Sequence, residues 1–275
     1  MNALRITRFD VTVLLVCVLL VAVIAASVAL VQPAPVLARV AYLAPVDSAP
    51  QNIWAVSPDA PEAPQQLTFS RYGVYDFSPD PTGRYIAYAE NTPEGITELR
   101  LLDLANGSSQ PLTDCLAEDA TCDTVAWRPD GRVFAYQRRD LNTTLGLGVS
   151  APRVWIMDLT TTPYSTFPLF SDSQTLGTEP TWSGTGTRLA FYDALGQGVL
   201  VFDFNALSED QRIRFIPAAN GSTGTLSPDG TRLAYTDLIF GSENQAVRAV
   251  VNIAELERGV TRPLTDEQEV DDGSL

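Results

Sequence analysis

The stretch Ser227-Pro228-Asp229-Gly230-Thr231-Arg232-Leu233-Ala234-Tyr235 decides the fold of this chain, because related versions of it recur. Each version joins a turn rich in Pro, Asp, Ser or Gly to a short strand built around an alanine. The other three versions begin at Ser78, Arg128 and Ser183, so the four starts lie 50, 55 and 44 residues apart. A repeat of this period built from short strands is typical of a radial array of small sheets.

Each repeat unit contains four short apolar runs, which predict four strands. In the second unit these runs are 124–127, 133–136, 154–159 and 166–169. The third run of a unit is nearly continuous in apolar residues, as expected of a strand that is covered on both faces. The fourth runs at Pro111 and Pro263 contain proline, which suits an outer edge strand because the missing N–H costs little there.

An incomplete unit lies at the N-terminal side, where 39–44, 53–56 and 66–68 resemble a second, third and fourth strand. Residues 266–275 stand where the missing first strand should come. We therefore expect an all-β fold, a β-propeller of about five four-stranded blades with one blade split between the termini. Residues 269–272 are acidic and short for an inner strand, so the ring could also stay open or be completed by a partner.

The repeated phrases resemble the TolB-type, WD40-like (PD40) propeller repeat over about residues 39–265. The resemblance rests on Ser-Pro-Asp-Gly, Leu-Ala-Tyr, a hydrophobic strand ending in Asp-Leu, and Pro-Leu-Thr. Trp127 and Trp182 match the aromatic residue that precedes the motif, with Phe77 and Leu226 in its place elsewhere. In this alignment the first copy carries two extra residues before its second strand. The resemblance implies a propeller, a fold used for protein binding, for scaffolding and as an appendage in enzymes.

An uncharged apolar segment, 11–31, precedes the repeats. As a helix with a rise of about 1.5 Å per residue, the segment would be ~32 Å long, and the hydrocarbon core of a bilayer is ~30 Å thick. Arg5 and Arg8 lie before it, Asp10 stands at its boundary, and the first charge after it is Arg39. The basic residues therefore favour an N-terminus in the cytoplasm. A cleaved signal peptide is the alternative, although signal cores are shorter, about 7–15 residues.

The expected organisation is therefore a membrane protein with its propeller on the periplasmic or extracellular side. It comprises a cytoplasmic tail (1–10), a transmembrane anchor (11–31), a linker (32–38) and the β-propeller (39–275). Cys115 and Cys122 follow the anchor, and an oxidising compartment would let them form a disulfide. Two free thiols are the alternative, and without histidine the pair cannot complete a four-ligand zinc site.

The composition excludes several kinds of chemistry. All 18 basic residues are arginine, and the chain has no lysine and no histidine. Imidazole bases, Schiff-base lysines and the lysine of a phosphate-binding P-loop are therefore missing. The net charge of −15 argues against nucleic acid, which is bound by cationic groups. We expect no catalytic residues, no cofactor and no metal, and hence not an enzyme.

Two sets of acidic residues recur with the repeat and are candidate metal ligands. The first set is Asp80, Asp130 and Asp229. The second is Asp103, Asp158 and Asp203, with Asn252 at the same place in the last unit. Short polar side chains in turns and at strand ends bind backbone N–H groups, and we expect that role for both sets. The alternative is a glycan-binding propeller or a glycoside hydrolase with two carboxylates.

The segment 138–153 is the longest connection between paired strands and is the candidate contact loop. Its possible contact residues are Arg138, Arg139, Asn142 and Arg153. The predicted function is non-catalytic protein–protein interaction, as a scaffold or as an accessory subunit of a membrane complex. The expected partners are other membrane or periplasmic proteins, together with the membrane itself through the N-terminal helix.

Overall fold

The computed structural model describes residues 40–46, 50–171, 174–239 and 248–265, which form five antiparallel sheets. Sheet 1 contains β1 (Val40–Ala44), β2 (Asn52–Ser57) and β3 (Ala60–Gln66). Sheet 2 contains β4 (Val74–Pro79), β5 (Tyr85–Asn91), β6 (Thr97–Asp103) and β7 (Ser108–Pro111). Sheet 3 contains β8 (Ala120–Trp127), β9 (Val133–Asp140), β10 (Arg153–Asp158) and β11 (Ser165–Pro168).

The two remaining sheets have the same four-stranded plan. Sheet 4 contains β12 (Thr178–Trp182), β13 (Arg188–Asp193), β14 (Gly198–Asp203) and β15 (Ile213–Pro217). Sheet 5 contains β16 (Thr225–Leu226), β17 (Arg232–Ile239), β18 (Arg248–Glu255) and β19 (Val260–Pro263). One short helix, α1 (Glu209–Arg212), precedes β15. The predicted all-β architecture of repeated antiparallel sheets is confirmed.

The sheets lie side by side in chain order. Within each sheet the strands follow one another in sequence, and the first strand contacts the first strand of the next sheet, from β4 to β8, β12 and β16. Sheet 1 joins this row through a contact of β2 with β4. Successive antiparallel sheets arranged through their first strands are the plan of a β-propeller.

Two predictions concern parts of the chain beyond the described residues. The proposed anchor, 11–31, and the proposed closing strand in 266–275 both lie outside them. Within the described ranges, no helix has the length and apolar character needed to cross a bilayer. In sheet 1, the three predicted strands are present, but the last one occupies Ala60–Gln66 instead of 66–68.

The hydrophobic core is divided into four clusters, each lying between consecutive sheets. Side chains of β9 show how this arises. Phe134 and Tyr136 pack with residues of sheet 2, whereas Ala135 between them packs with sheet 4. Because successive strand residues point to opposite faces, a strand between two neighbours must be apolar on both sides. The near-continuous apolar runs in the sequence have this origin.

The backbone hydrogen bonds of the turns correct the alignment of the first repeat. The amides of Arg128, Ser183 and Ser227 each donate to the carbonyl oxygen five residues further on, at 2.8–2.9 Å. In sheet 2 the residue that makes this bond is Asp80, with a distance of 2.9 Å to Tyr85 O. The first copy therefore begins at Asp80, not at Ser78, and it has no extra residues.

The same correction changes which residue precedes the turn. Pro79 pairs with Ile86 in the way that Trp127 pairs with Phe134. Pro79 therefore occupies the place of the tryptophans, and the prediction that Phe77 does so was wrong. Phe77 lies two residues earlier in β4.

The two tryptophans at this place make the same bond in successive interfaces. Trp127 Nε1 donates to Ser78 O of sheet 2 at 3.0 Å, and Trp182 Nε1 donates to Ala126 O of sheet 3 at 3.0 Å. Ser78 and Ala126 occupy equivalent positions, two residues before the turn. Each indole thus satisfies a carbonyl group of the neighbouring sheet while its ring fills the space between the two sheets.

Sheet 5 has Leu226 at the tryptophan position, and a different residue links it to sheet 4. Arg188 donates to Gly230 O at 2.7 Å, pairs with Asp203 at 2.8 Å and also contacts the Glu257 carboxylate. Burial lowers the pKa of Arg188, but the hydrogen bonds to Glu257 and Asp203 outweigh it and the net pKa is raised. Arg188 stays charged and holds the two sheets together.

We expect Trp182→Phe to lower the free energy of unfolding by about 1–2 kcal/mol, because Ala126 O loses its donor. Urea denaturation of the purified chain measures this loss. Trp54→Phe is the matched control, since Trp54 Nε1 is buried and finds no acceptor among the described residues. A loss from Trp182→Phe no larger than that from Trp54→Phe would contradict the role given to the indole N–H.

Candidate functional site

The recurring carboxylates of the turns bind backbone N–H groups. Asp229 Oδ1 accepts hydrogen bonds from the Thr231 amide at 3.1 Å and from the Ser227 hydroxyl at 2.6 Å. These bonds lower the pKa of Asp229 to about 2. Asp130 Oδ1 accepts the Arg132 amide at 3.1 Å in the same manner. Both residues therefore have the turn-forming role that the sequence predicts.

Asp80 also binds its own turn, although the corrected alignment gives it a different place. Its carboxylate accepts the amides of Tyr85 at 2.6 Å and of Thr82 at 3.0 Å. The hydroxyl groups of Ser183 and Ser227 accept the amides five residues further on in sheets 4 and 5. Asp80 is thus the counterpart of these serines and not of Asp229.

The carboxylates at the ends of the third strands are strand-end caps. Asp103, Asp158 and Asp203 each accept the amide of the residue two positions further on, at 2.8–2.9 Å. The prediction that Asn252 shares this place was wrong. Asp203 lies opposite Arg188, and the residue opposite Arg232 in sheet 5 is Glu255. Across the described residues, no group of three or more potential metal-ligating side chains is close enough to hold a metal ion.

The candidate contact loop is shorter than predicted. β9 continues to Asp140 and β10 begins at Arg153, so the connection itself is 141–152. Arg138 is a strand residue whose guanidinium lies 4.6 Å from the centre of the Trp155 ring and pairs with Glu118. Its side chain is only 12% exposed and therefore offers little to a partner.

The other three predicted contact residues also take part in the structure around the loop. Arg139 pairs with Asp123 at 2.6 Å, and Arg153 Nη2 donates to Phe170 O at 2.9 Å. Asn142 Nδ2 donates to Gly148 O at 2.9 Å across the loop. All four predicted residues lie together at or beside the loop, and their polar groups are used to build its base.

Asp123 belongs to a polar cluster between the inner strands. It lies in β8, is almost fully buried, and accepts a hydrogen bond from Gln137 Nε2 at 3.1 Å. Burial raises the pKa of Asp76 in the neighbouring β4, and the charge of Asp123 raises it further. The ion pair of Arg139 with Asp123 joins β9, the strand that leads into the loop, to β8, the inner strand of sheet 3.

The outer part of the loop is apolar and exposed. Leu145, Leu147 and Val149 are 60–76% exposed, and residues 141–152 contain no charged side chain. Gly146 and Gly148 separate them and have φ angles of +64° and +79°, which a side chain would strain. Sequence reasoning found the loop but not these three residues; the alternation of Leu and Val with Gly was the signal for them.

A disulfide braces the base of this loop. Cys115 and Cys122 are bonded, with their Cα atoms 6.3 Å apart, and both are buried. The segment between them contains Asp119, whose carboxylate accepts the Thr143 amide at 2.9 Å and the Thr143 hydroxyl at 2.6 Å. Asp119 O also accepts the Leu141 amide at 2.7 Å. The exposed aliphatic side chains therefore stand on a cross-linked base.

Comparison with known proteins supports the fold. No protein-family model and no curated protein matches the chain. The TolB structure from Acinetobacter baumannii is 21% identical, with a TM-score of 0.55 over 85% of this chain and 54% of that one. A putative TolB from Agrobacterium tumefaciens is 15% identical, with a TM-score of 0.54 over 78% and 74%.

A puromycin-hydrolysing peptidase from Mycobacterium tuberculosis is 16% identical, with a TM-score of 0.57 over 85% of this chain and 36% of the peptidase. The chain thus spans about half the length of the Acinetobacter protein and about a third of the peptidase. At these identities the likeness concerns the fold alone. The chain has a TolB-like β-propeller fold.

We expect the double substitution Cys115→Ala/Cys122→Ala to lower the free energy of unfolding by roughly 2.5 kcal/mol, the chain-entropy value for so short a loop. Amide exchange in 141–152 should also accelerate, because Asp119 loses its fixed position. Urea denaturation and hydrogen exchange measure the two effects. Cys17→Ala, which changes the third cysteine of the chain in the segment 11–31, is the control. A double variant that behaves like it in both measurements would contradict the bracing role.

The lowered pKa of Asp229 predicts a pH dependence of stability. A carboxyl whose folded pKa is about 2, against an ordinary value of 3.8, stabilises the fold above the higher value. This contribution is lost as the pH falls from about 4 towards about 2. The melting temperature of the wild type should therefore exceed that of Asp229→Ala above pH 4, with a gap that narrows in this window. A gap that is constant from pH 2 to pH 6 would show that the charge contributes nothing.

Proposed function

We propose that this chain is a membrane-anchored, extracytoplasmic β-propeller that binds another protein, as a scaffold or accessory subunit of a membrane complex. The observation that carries the proposal is the loop 141–152, which exposes Leu145, Leu147 and Val149 on a braced base. Adjacent exposed aliphatic side chains on a soluble surface are typical of interaction sites.

The physical chemistry of the loop favours association with an apolar protein surface. Burial of an apolar side chain contributes about 25 cal/mol per Å² removed from water. A loop that is already held by Asp119, Asn142 and the disulfide loses less conformational entropy on binding than a free segment. The loop is also uncharged on a chain of net charge −15, so it can be desolvated without burying a charge.

The proposed location rests on the sequence and agrees with the disulfide. The uncharged segment 11–31, with Arg5 and Arg8 before it, suits an anchor whose N-terminus is cytoplasmic. A disulfide persists in the oxidising space beyond the membrane. A non-catalytic role accords with the absence of lysine and histidine and with the use of the recurring carboxylates as acceptors for backbone amides.

We expect the triple substitution Leu145→Ser/Leu147→Ser/Val149→Ser to reduce the amount of cross-linked partner at least about tenfold, in line with the loss of 1.4 kcal/mol or more of binding energy. The full-length chain is cross-linked in native membranes, and the products are quantified by mass spectrometry. The matched control, Leu195→Ser/Leu207→Ser/Leu264→Ser, changes three aliphatic side chains of similar or greater exposure elsewhere.

Melting curves of both triple variants should match the wild type, because all six side chains are largely solvated. A partner captured equally well by the two variants would contradict the assignment of the loop. A chain that captures no protein in its native membrane would contradict the proposed function itself.

A further inference from the structure

Two aromatic-lined grooves lie on either side of the turns of sheet 3. The first lies between sheets 2 and 3 and has a volume of about 290 Å³. Its walls include Tyr85, Asp103, Gln110, Arg132, Thr160 and Tyr164. Gln110 Nε2 donates to Tyr164 Oη at 3.2 Å, so the amide oxygen of Gln110 and the hydroxyl hydrogen of Tyr164 remain available to a ligand.

The second groove lies between sheets 3 and 4 and has a volume of about 310 Å³. Its walls include Arg132, Asp158, Thr160, Phe167, Trp182 and Phe204. Trp182 and Phe204 stack with their ring centres 5.2 Å apart, and Phe167 and Phe204 are both exposed. Arg132 and Thr160 line both grooves and thus form the wall between them.

The dividing wall offers hydrogen-bonding groups. The Arg132 guanidinium makes no hydrogen bond or ion pair with the described part of the chain. The backbone of Arg132 is used instead: its amide donates to Asp130 at 3.1 Å, and its carbonyl oxygen accepts the Leu159 amide at 3.0 Å. The guanidinium therefore has five N–H donors for a ligand. Each groove thus combines at least one exposed aromatic ring with donors and acceptors, and the two grooves share the side chains of Arg132 and Thr160.

We propose that the two grooves form one binding surface for a neutral oligosaccharide. A sugar ring has an apolar C–H face that packs on an aromatic ring, and hydroxyl groups at its edge that both donate and accept hydrogen bonds. Tyr164 supplies a ring in the first groove and Phe167 one in the second, while Arg132 and Thr160 bind hydroxyl groups between them. The net charge of −15 disfavours an acidic glycan through long-range repulsion.

The neighbouring strands favour a sugar over an extended peptide. A peptide that adds a strand to a sheet needs a free edge with an unbroken row of N–H and C=O groups. The outer strands at the two grooves are β7 and β11, and they end in Pro111 and Pro168. Proline has no N–H, so the row of donors on each of these short strands ends there. A ligand held by side chains alone suits this surface better.

The equivalent groove between sheets 4 and 5 has a different lining from the two grooves beside sheet 3. It has a volume of about 260 Å³ and is lined by Arg188, Asp203, Leu207, Arg214 and Glu257 among others, and no aromatic residue stands among the described residues that line it. Arg188 spans it to reach Glu257 and Gly230. We therefore assign oligosaccharide binding to the grooves beside sheet 3 and not to every groove of the repeat.

The test is isothermal titration calorimetry of the full-length chain in detergent with cellohexaose, maltohexaose and chitohexaose. We expect at least one of them to bind, and Tyr164→Ala and Phe167→Ala each to weaken that binding by about tenfold or more. Phe69→Ala and Leu207→Ala should leave the affinity within about twofold, because these exposed side chains lie outside the two grooves.

Three outcomes would overturn the proposal. In the first, none of the three oligosaccharides binds at millimolar concentration. In the second, binding survives both Tyr164→Ala and Phe167→Ala. In the third, the cross-linked protein partner occupies the grooves in place of a sugar. The loop variant Leu145→Ser/Leu147→Ser/Val149→Ser should bind the oligosaccharide normally, so this proposal and the proposed protein interaction fail separately.

Discussion

The covering of both faces of sheets 2, 3 and 4 by apolar neighbours is the constraint on which this structure depends. Phe134 and Ala135 are adjacent in the chain, yet one packs with sheet 2 and the other with sheet 4. A single four-stranded unit of this kind cannot bury its hydrophobic surface alone, so stability resides in the interfaces between units. Trp127 and Trp182 add a directed hydrogen bond to two of these interfaces, and Arg188 provides a substitute in a third.

This constraint also decides where binding can occur. The apolar side chains of the strands pack in the core. The recurring carboxylates, such as Asp103 and Asp229, accept backbone amide hydrogen bonds that stabilise turns. The loop 141–152 and the outer grooves between sheets are two surfaces that this packing leaves open to a partner. The loop offers aliphatic side chains on a base fixed by the disulfide, whereas the grooves offer rings and hydrogen-bonding groups. The two surfaces therefore suit different kinds of ligand.

The strands could be predicted from the sequence because each short apolar run and each turn is specified locally, as in Ser227–Tyr235. The alignment of the first repeat could not, since Ser78-Pro79-Asp80 imitates the turn motif while the turn hydrogen bond begins at Asp80. Arg138 looked available because its partner Glu118 is distant in sequence. The grooves escaped prediction for the same reason, since Tyr85 and Tyr164 line one groove only when two sheets pack together.

The central claim is that the braced loop of sheet 3 is the surface that binds a protein partner, and site-specific photo-cross-linking tests it most directly. A photoreactive amino acid is placed at Leu147, or at the still more exposed Leu207 in sheet 4, and the cells are irradiated. The account predicts a discrete cross-linked species from position 147 that position 207 does not give. Equal cross-linking from both positions, or a partner captured at 207 alone, would contradict it.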